Sequence, residues 1–246
     1  MDSSVVITRV AERHWHALSD DRVIGRGEAS PRPDGRLFVS VDSWQDAVFD
    51  QLAEVMVANL PAPLYTVVDE AEQDIAEHWQ RAGFTTRRRE WEYLVPTEVD
   101  PVPAPSGVTI LGVGAADEVR LRAVDRAVRA EVDWLTMPAE VLPRHVGDTI
   151  VDPSRYAVAA LADRYVGLLR VTMPTRQPRI GLLAVLAEQR RHGIGRALLT
   201  SVLSSLHDNG KQTALAEVHE TNEAAIALVE SIGARRAGSN LELVRG

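Results

Sequence analysis

Cysteine is absent from this 246-residue chain, which excludes disulfides, thiolate metal sites and a cysteine nucleophile. Nor does any stretch approach the roughly 18 consecutive apolar residues that a membrane span requires. The opening Met1-Asp2-Ser3-Ser4 has neither a basic nor an apolar segment, so no secretory signal is expected and a cytoplasmic location is. Positive charge is also short: 27 Lys and Arg against 35 Asp and Glu leave a net charge of −8. That balance argues against general binding to nucleic acid or to a membrane surface. What is present is an ordinary globular composition, 45% hydrophobic and 25% charged. The length is ample for two small domains.

Against the acidic background, local basic clusters stand out. One is Arg87-Arg88-Arg89, which lies beside Glu90 and Glu92 and reads as a solvated or interfacial run. The other is Arg190, Arg191 and Arg196, with His192 among them.

Residues 96–106 hold four prolines and show no apolar periodicity. Proline fixes φ and removes a backbone donor, so this segment reads as an extended linker between domains at 1–95 and 107–246. An internal repeat supports the split. Leu64-Tyr65-Thr66-Val67-Val68 parallels Ala214-Leu215-Ala216-Glu217-Val218; Arg81-Ala82-Gly83-Phe84 parallels Ser231-Ile232-Gly233-Ala234. Trp91-Glu92-Tyr93-Leu94 likewise parallels Leu241-Glu242-Leu243-Val244. Upstream, Asp21-Arg22-Val23-Ile24-Gly25 matches Asp163-Arg164-Tyr165-Val166-Gly167, the turn of an expected hairpin. The second half has about fifty extra residues ahead of its hairpin, including two expected helices near 116–130 and 138–146. The first half has room there for one strand and resembles a truncated copy.

The second half is predicted to run strand (108–111), two helices, a hairpin (156–162 and 165–172), a strand (179–185), a helix from Gly193, a strand (213–218), a helix (222–232) and a closing strand (240–244). Ile194, Leu198, Val202 and Leu206, with Leu199 and Leu203 beside them, give the central helix a buried stripe. Strand and helix interleave, so the fold class is mixed α/β, with a central mixed sheet in the second domain and a smaller related α/β domain before it.

Between strand and central helix lies Leu183-Ala184-Val185-Leu186-Ala187-Glu188-Gln189-Arg190-Arg191-His192-Gly193-Ile194-Gly195-Arg196. A helix start presents free N–H groups and a dipole that favours anions. Glycine admits a phosphate close to the backbone. Charge-assisted hydrogen bonds from arginine contribute about 1.5–3 kcal/mol each, against about 0.3–1 kcal/mol for the dipole. The loop therefore reads as a phosphate site. It lacks the third glycine of a dinucleotide fingerprint and the Gly-Lys-Ser/Thr of a nucleotide P-loop.

This loop resembles the Arg/Gln-x-x-Gly-x-Gly/Ala motif of the GCN5-related N-acetyltransferase (GNAT) superfamily, with Arg190, Gly193 and Gly195 in its fixed places. Downstream, Asn222-Glu223-Ala224-Ala225-Ile226-Ala227-Leu228-Val229-Glu230-Ser231-Ile232-Gly233-Ala234 is similar to the family's Asn-x-x-Ala-x-x-Leu-Tyr-x-x-x-Gly-Phe stretch. The resemblance implies a GNAT-type sheet at 107–246 and a degenerate copy at 1–95, in tandem. It also implies direct transfer of an acetyl group from acetyl-CoA to a primary amine of a small molecule or peptide. Leu183, Ala184 and Val185 would pair with the pantetheine arm of coenzyme A, and the Val185 N–H would polarise the thioester. Arg190, Arg191, His192, Gly193, Ile194, Gly195 and Arg196 would hold the phosphates. Asn222 has two readings, a helix N-cap or a side chain near the cofactor, and both can hold.

The sequence departs from the family where the chemistry is done. The frequent tyrosine acid falls at Val229, and the strand before the loop carries no carboxylate. Glu217 and His219 become the candidate catalytic residues. Glu131 and Asp133 stand where the acceptor loop of 131–145 is expected, and Tyr156 opens the hairpin. The rival reading is a non-catalytic, CoA-binding regulatory protein. In the first half, Asp42-Ser43-Trp44-Gln45 takes the loop's place without glycine or arginine, so no cofactor site is expected there. His14-Trp15-His16 puts two imidazoles on one strand face without further ligands, and no metal is expected. The five tryptophans, Trp15, Trp44, Trp79, Trp91 and Trp134, read as packing residues, Trp134 also as a candidate pocket lining. A second copy of the chain, as a homodimer, is a further candidate partner.

Overall fold

The computed structural model describes residues 5–32, 35–132, 151–173 and 177–246. Asp133, Trp134 and the helix expected at 138–146 lie outside them, as does most of the expected acceptor loop. The class is mixed α/β, as expected. Two compact units divide the chain: Met1–Glu90 with Gly238–Gly246, and Trp91–Ala237.

In the first unit, strands β1 (Val6–Ala11), β2 (His14–Ser19), β3 (Arg22–Pro31) and β4 (Leu37–Ser43) form an antiparallel meander. Helix α1 (Asp46–Asn59) then leads to β5 (Leu64–Asp69), which runs parallel to β4. Helix α2 (Gln73–Arg81) and strand β6 (Thr85–Pro96) follow. The last strand of the chain, β12 (Arg235–Arg245), pairs antiparallel with β5 over residues 240–245. Val48, Phe49, Leu52, Ala53 and Met56 line one side of α1, the i, i+3, i+4 pattern of an amphipathic helix. They pack with Trp15, Trp79 and Phe84 in this unit's core.

Two expectations need correction here. Arg87, Arg88 and Arg89 are not a solvated run: each meets a carboxylate, of Glu242, Glu90 and Glu70 respectively, and Arg88 is only 5% exposed. Paired charges on adjacent strands and residues allow what lone ones do not. Trp44 is no packing residue, at 97% exposed. Trp15 is buried, which turns His14 and His16 to the other strand face; His14 Nε2 lies 3.9 Å from Glu28. Among the described residues no cluster of His, Asp and Glu could hold a metal.

The second unit repeats this plan. Strands β7 (Val108–Leu111), β8 (Tyr156–Leu161), β9 (Arg164–Thr172) and β10 (Arg179–Val185) are antiparallel neighbours, and β11 (Thr213–His219) runs parallel to β10. Beyond β11 lies β6. Each half of the sequence therefore contributes part of a strand to the other's unit, β6 from Trp91 onward and β12 from Gly238 onward.

Helix α3 (Glu118–Glu131) is capped by Asp117, which accepts from the Arg120 N–H at 2.9 Å, and buries Leu121, Val124 and Val128. Helix α4 (Ile194–Asp208) buries all six residues of its anticipated stripe, and Gly210 takes the left-handed position past its end at φ +76°. Helix α5 (Glu223–Glu230) precedes β12. Past Pro96, which ends β6, the proline-rich segment has no regular structure, yet it is tied to this unit. The Thr97 N–H donates to Gln212 O at 3.2 Å, and the Val102 N–H to Thr200 Oγ1 at 3.0 Å. No helix among the described residues is long and apolar enough to cross a membrane.

Candidate active site

The site grows from a fork in the sheet. β10 and β11 pair only at Arg179↔Leu215 and Ile180↔Ala216, then separate. β10 keeps its other neighbour, β9, through to Val185↔Gly167, with a bulge at Gly181 where the register shifts between Ile180 and Leu182. The Leu186 N–H donates to Val166 O at 2.9 Å. Hydrogen-bonded and non-bonded pairs alternate along an antiparallel ladder. Ala184 therefore directs its N–H and C=O at Leu168 on β9, whereas Leu183 and Val185 direct theirs into the fork. Of the three residues anticipated to pair with a ligand arm, Leu183 and Val185 have backbone groups so directed and Ala184 does not.

At the mouth of the fork, a short 3-10 turn (Ala187–Gln189) leads into the glycine loop. Arg191 has φ +67° and Gly193 φ +85°, both in the left-handed region. Gly193 is the N-cap of α4 and offers no side-chain cap. Among the described residues, none of the six N–H groups of 191–196 meets an acceptor. Left-handed turns combined with a helix start make a concave run of donors suited to an anion. Arg191, His192, Gly193 and Arg196 are exposed, while Ile194 is buried as an anchor of the helix.

Arg190 does something else. Its Nε donates to Val185 O at 2.8 Å, and its Nη2 lies 3.0 Å from Glu131 Oε2. The same Glu131 oxygen accepts from the Ala187 N–H at 2.7 Å. Arg190 thus braces the loop, and Glu131, anticipated as an acceptor-loop charge, is the carboxylate that braces it from α3. Arg191, His192 and Arg196 remain to face a phosphate; among the described residues the Arg196 side chain makes one long 3.5 Å contact, with Ser231 O. Asn222 caps α5, its Oδ1 accepting from the Ala225 N–H at 3.1 Å.

The two catalytic candidates differ in setting. Glu217 is the first β11 residue past the last β10 pair, and it is ion-paired with Arg179. His219 ends β11 and is turned into its own turn. The Thr221 N–H donates to His219 Nδ1 at 3.2 Å, so Nδ1 is an acceptor and the neutral ring carries its proton on Nε2. Tyr156 is 3% exposed. Burial pushes its phenol up from the ordinary value, with the Asp125 carboxylate adding to the rise and Arg170 opposing it. Val229, where the family's tyrosine would stand, is a core residue at 6% exposed.

A cavity of about 900 Å³ opens at the start of β10. Gly181 and Glu217, which flank the fork's vertex, both line it, together with Arg155, Arg170 and Arg179. Sequence reasoning passed over Arg170 and Gly181. A glycine inside an apolar strand is nonetheless a signal for a bulge.

Comparison with known proteins now bears on this geometry. Residues 123–234 match the family described as the acetyltransferase (GNAT) family. The mycothiol acetyltransferase of Thermobispora bispora is 27% identical over 175 residues, 63% of this chain and 56% of that protein. The [ribosomal protein bS18]-alanine N-acetyltransferase of Escherichia coli K12 is 44% identical over 55 residues, 22% of this chain and 37% of that one. The chain thus spans about half or less of the length of these relatives. The crystal structure of a GCN5-related N-acetyltransferase from Sphaerobacter thermophilus shares the fold at a TM-score of 0.73 and 16% identity, covering 97% of this chain and 82% of that one. With the fork, the donor loop and this match in one unit, the chain carries a domain of the GNAT acetyltransferase family.

Proposed function

We propose that this chain is an acetyl-CoA-dependent N-acetyltransferase that transfers an acetyl group to a primary amine of a small molecule or peptide, with both substrates bound together. The observation that carries this reading is the forked sheet with six N–H groups at its mouth that meet no acceptor among the described residues. Both relatives bear the names of acetyltransferases, one of them an alanine N-acetyltransferase.

The residues fit coenzyme A. The N–H groups of 191–196, with Arg191, His192 and Arg196, would hold its phosphates, and Gly193 makes the turn that presents them. The outward backbone groups of Leu183 and the Val185 N–H offer an edge strand to an amide-bearing arm, the Val185 C=O being held by Arg190. When bound, acetyl-CoA supplies an activated acetyl group as a thioester. The Val185 N–H is the donor placed to stabilise negative charge developing on an oxygen in the fork.

An amine of lysine type has a pKa near ~10.4 and must shed a proton to react at neutral pH. Glu217, at the vertex, is the carboxylate positioned to take that proton directly or through water. His219, at the end of the same strand, is the second candidate. In the first unit, α1 begins with the Asp46 carboxylate in its first turn and has Gln45 as its N-cap. An anion at that helix start opposes phosphate binding, which supports a degenerate, cofactor-free copy there.

The rival, a CoA-binding regulator without turnover, is favoured by one observation, the buried Val229 in place of a tyrosine acid. Acetyl-CoA-dependent thiol release across an amine panel separates the two. The expected result is turnover that drops by at least about tenfold in Glu217→Gln, a typical contribution of general-base catalysis being 10²–10⁴-fold. Binding without thiol release on any amine favours the regulator.

A further inference from the structure

The charge lining the cavity at the fork's vertex runs against that of the whole molecule. In a chain of net charge −8, three arginines and a single carboxylate face it among the described residues. Two of the arginines are occupied: Arg155 lies 3.2 Å from Asp152, and Arg179 pairs with Glu217. Arg170 is different. It is half-buried, sits on β9 opposite Leu182 of β10, and its side chain makes no hydrogen bond or ion pair among the described residues.

Among the described residues, the groups around Arg170 leave its charge unanswered. Tyr156 faces it across the β8–β9 ladder, and burial keeps that phenol in its neutral form. The nearest acidic group on α3 that bears on Tyr156, Asp125, is committed to Arg129 at 2.6 and 3.1 Å. The fold also makes room for the guanidinium. Arg170 Nη1 lies 3.2 Å from the point a Cβ would occupy on Gly181, the bulge residue of β10. A partly desolvated cation at a cavity wall, with no partner there, is completed by an anion that enters the cavity. A guanidinium offers a planar fork that matches a carboxylate or phosphate.

We infer that Arg170 is the anion-binding residue of the acceptor subsite, and that the acceptor amine carries a carboxylate or phosphate group on the same molecule. This rests on the acetyltransferase reading above and adds to it the chemical class of the acceptor. Arg170 here is a specificity residue that touches substrate; Gly181 positions it. The cavity reaches the fork through Gly181 and Glu217, so an amine directed at Glu217 leaves its anionic end beside Arg170.

The test uses matched acceptors that differ only in charge: glycine and L-alanine against glycinamide and L-alaninamide, and phosphoethanolamine against ethanolamine. The readout is the ratio of kcat/KM, anionic over neutral, by thiol release on the full chain. Taking this ratio between variants cancels the intrinsic reactivity of each amine. The wild type should turn over at least one anionic acceptor, and the carboxylate and phosphate arms show which anion is preferred. Arg170→Gln should lower that ratio by at least about tenfold, the size of one hydrogen-bonded charge contact, and Arg170→Lys should restore part of it. Gly181→Ala, which forces Nη1 aside, should lower it several-fold, and it serves if Arg170→Gln fails to fold.

Transfer that persists with an unchanged ratio in these variants overturns this inference and leaves the acetyltransferase reading standing. So does a wild type that accepts only the neutral amines. No thiol release with any acceptor overturns both.

Discussion

Two glycines in the same loop should respond to alanine with opposite signs. Gly193 has φ +85° as the N-cap of α4, and an added Cβ would find only Pro105 Cγ, at 3.9 Å. The cost of Gly193→Ala is therefore backbone strain without a clash, about 1–2 kcal/mol for an L-residue held in the left-handed region. For a chain of this size, 1 kcal/mol corresponds to roughly 2–4 °C in Tm, so a fall of roughly 2–8 °C is expected. Gly195 lies inside the first turn of α4 with an ordinary φ. A Cβ there meets Val185 Cγ2 at 3.8 Å and Leu228 Cδ2 at 3.9 Å, normal contact distances. Gly195→Ala removes backbone entropy from the unfolded chain and should raise stability by up to about 1 kcal/mol. Calorimetry of both variants checks this. Shifts of the same sign, or an unchanged Tm in Gly193→Ala, would refute the assignment of the left-handed turn to Gly193.

Other consequences follow from single contacts. Asn222→Ala removes the cap on α5 and should cost about 0.5–2 kcal/mol, read as a lower Tm. Glu131→Gln keeps an acceptor for the Ala187 N–H but removes a negative charge beside the phosphate loop. Acetyl-CoA affinity by titration calorimetry should rise several-fold at low salt, the gain shrinking at high salt as screening grows; a lower affinity at both would refute this charge effect and show that the loop needs the ion pair between Glu131 and Arg190. Hydrogen bonds from Ser239 and then Arg89 hold the Glu70 carboxyl below its ordinary value of 4.5. A depressed folded-state value means stability present above pH ~4.5 and lost as pH falls through the folded value. Tm against pH should therefore fall less steeply below pH ~4.5 in Glu70→Gln than in the wild type.

The parts of this fold that were readable in sequence are those where one physical pattern dominates. β10 was legible because an apolar run is bounded by Pro178 on one side and a polar loop on the other. α4 was legible because its stripe has helical period and its start and stop are glycines. β6 and β12 proved longer than anticipated, since Arg87–Arg89 and Arg235-Arg236 hide the strand period under charge. Their carboxylate partners are remote in sequence, as Glu242 is from Arg87. For the same reason no local pattern announced that the halves contribute strands to each other's units. At the site, the loop's turn chemistry was legible. The division of labour within it was not: Arg190 and Glu131 are 59 residues apart, and only their meeting shows Arg190 to be a brace. Arg170 was invisible because the two arginines of a nine-residue strand, Arg164 and Arg170, make no pattern; its meaning comes from Gly181 on β10.

The central claim is that residues 191–196 and the outward edge of β10 form the coenzyme A site, and that the first unit has none. The most direct test is a titration of the ¹⁵N-labelled full chain with acetyl-CoA, followed by backbone amide shifts. The amides of 191–196, Leu183 and Val185 should move together and saturate, while those of 42–48 stay still. An unmoved glycine loop, or shifts centred on 42–48, would contradict the account.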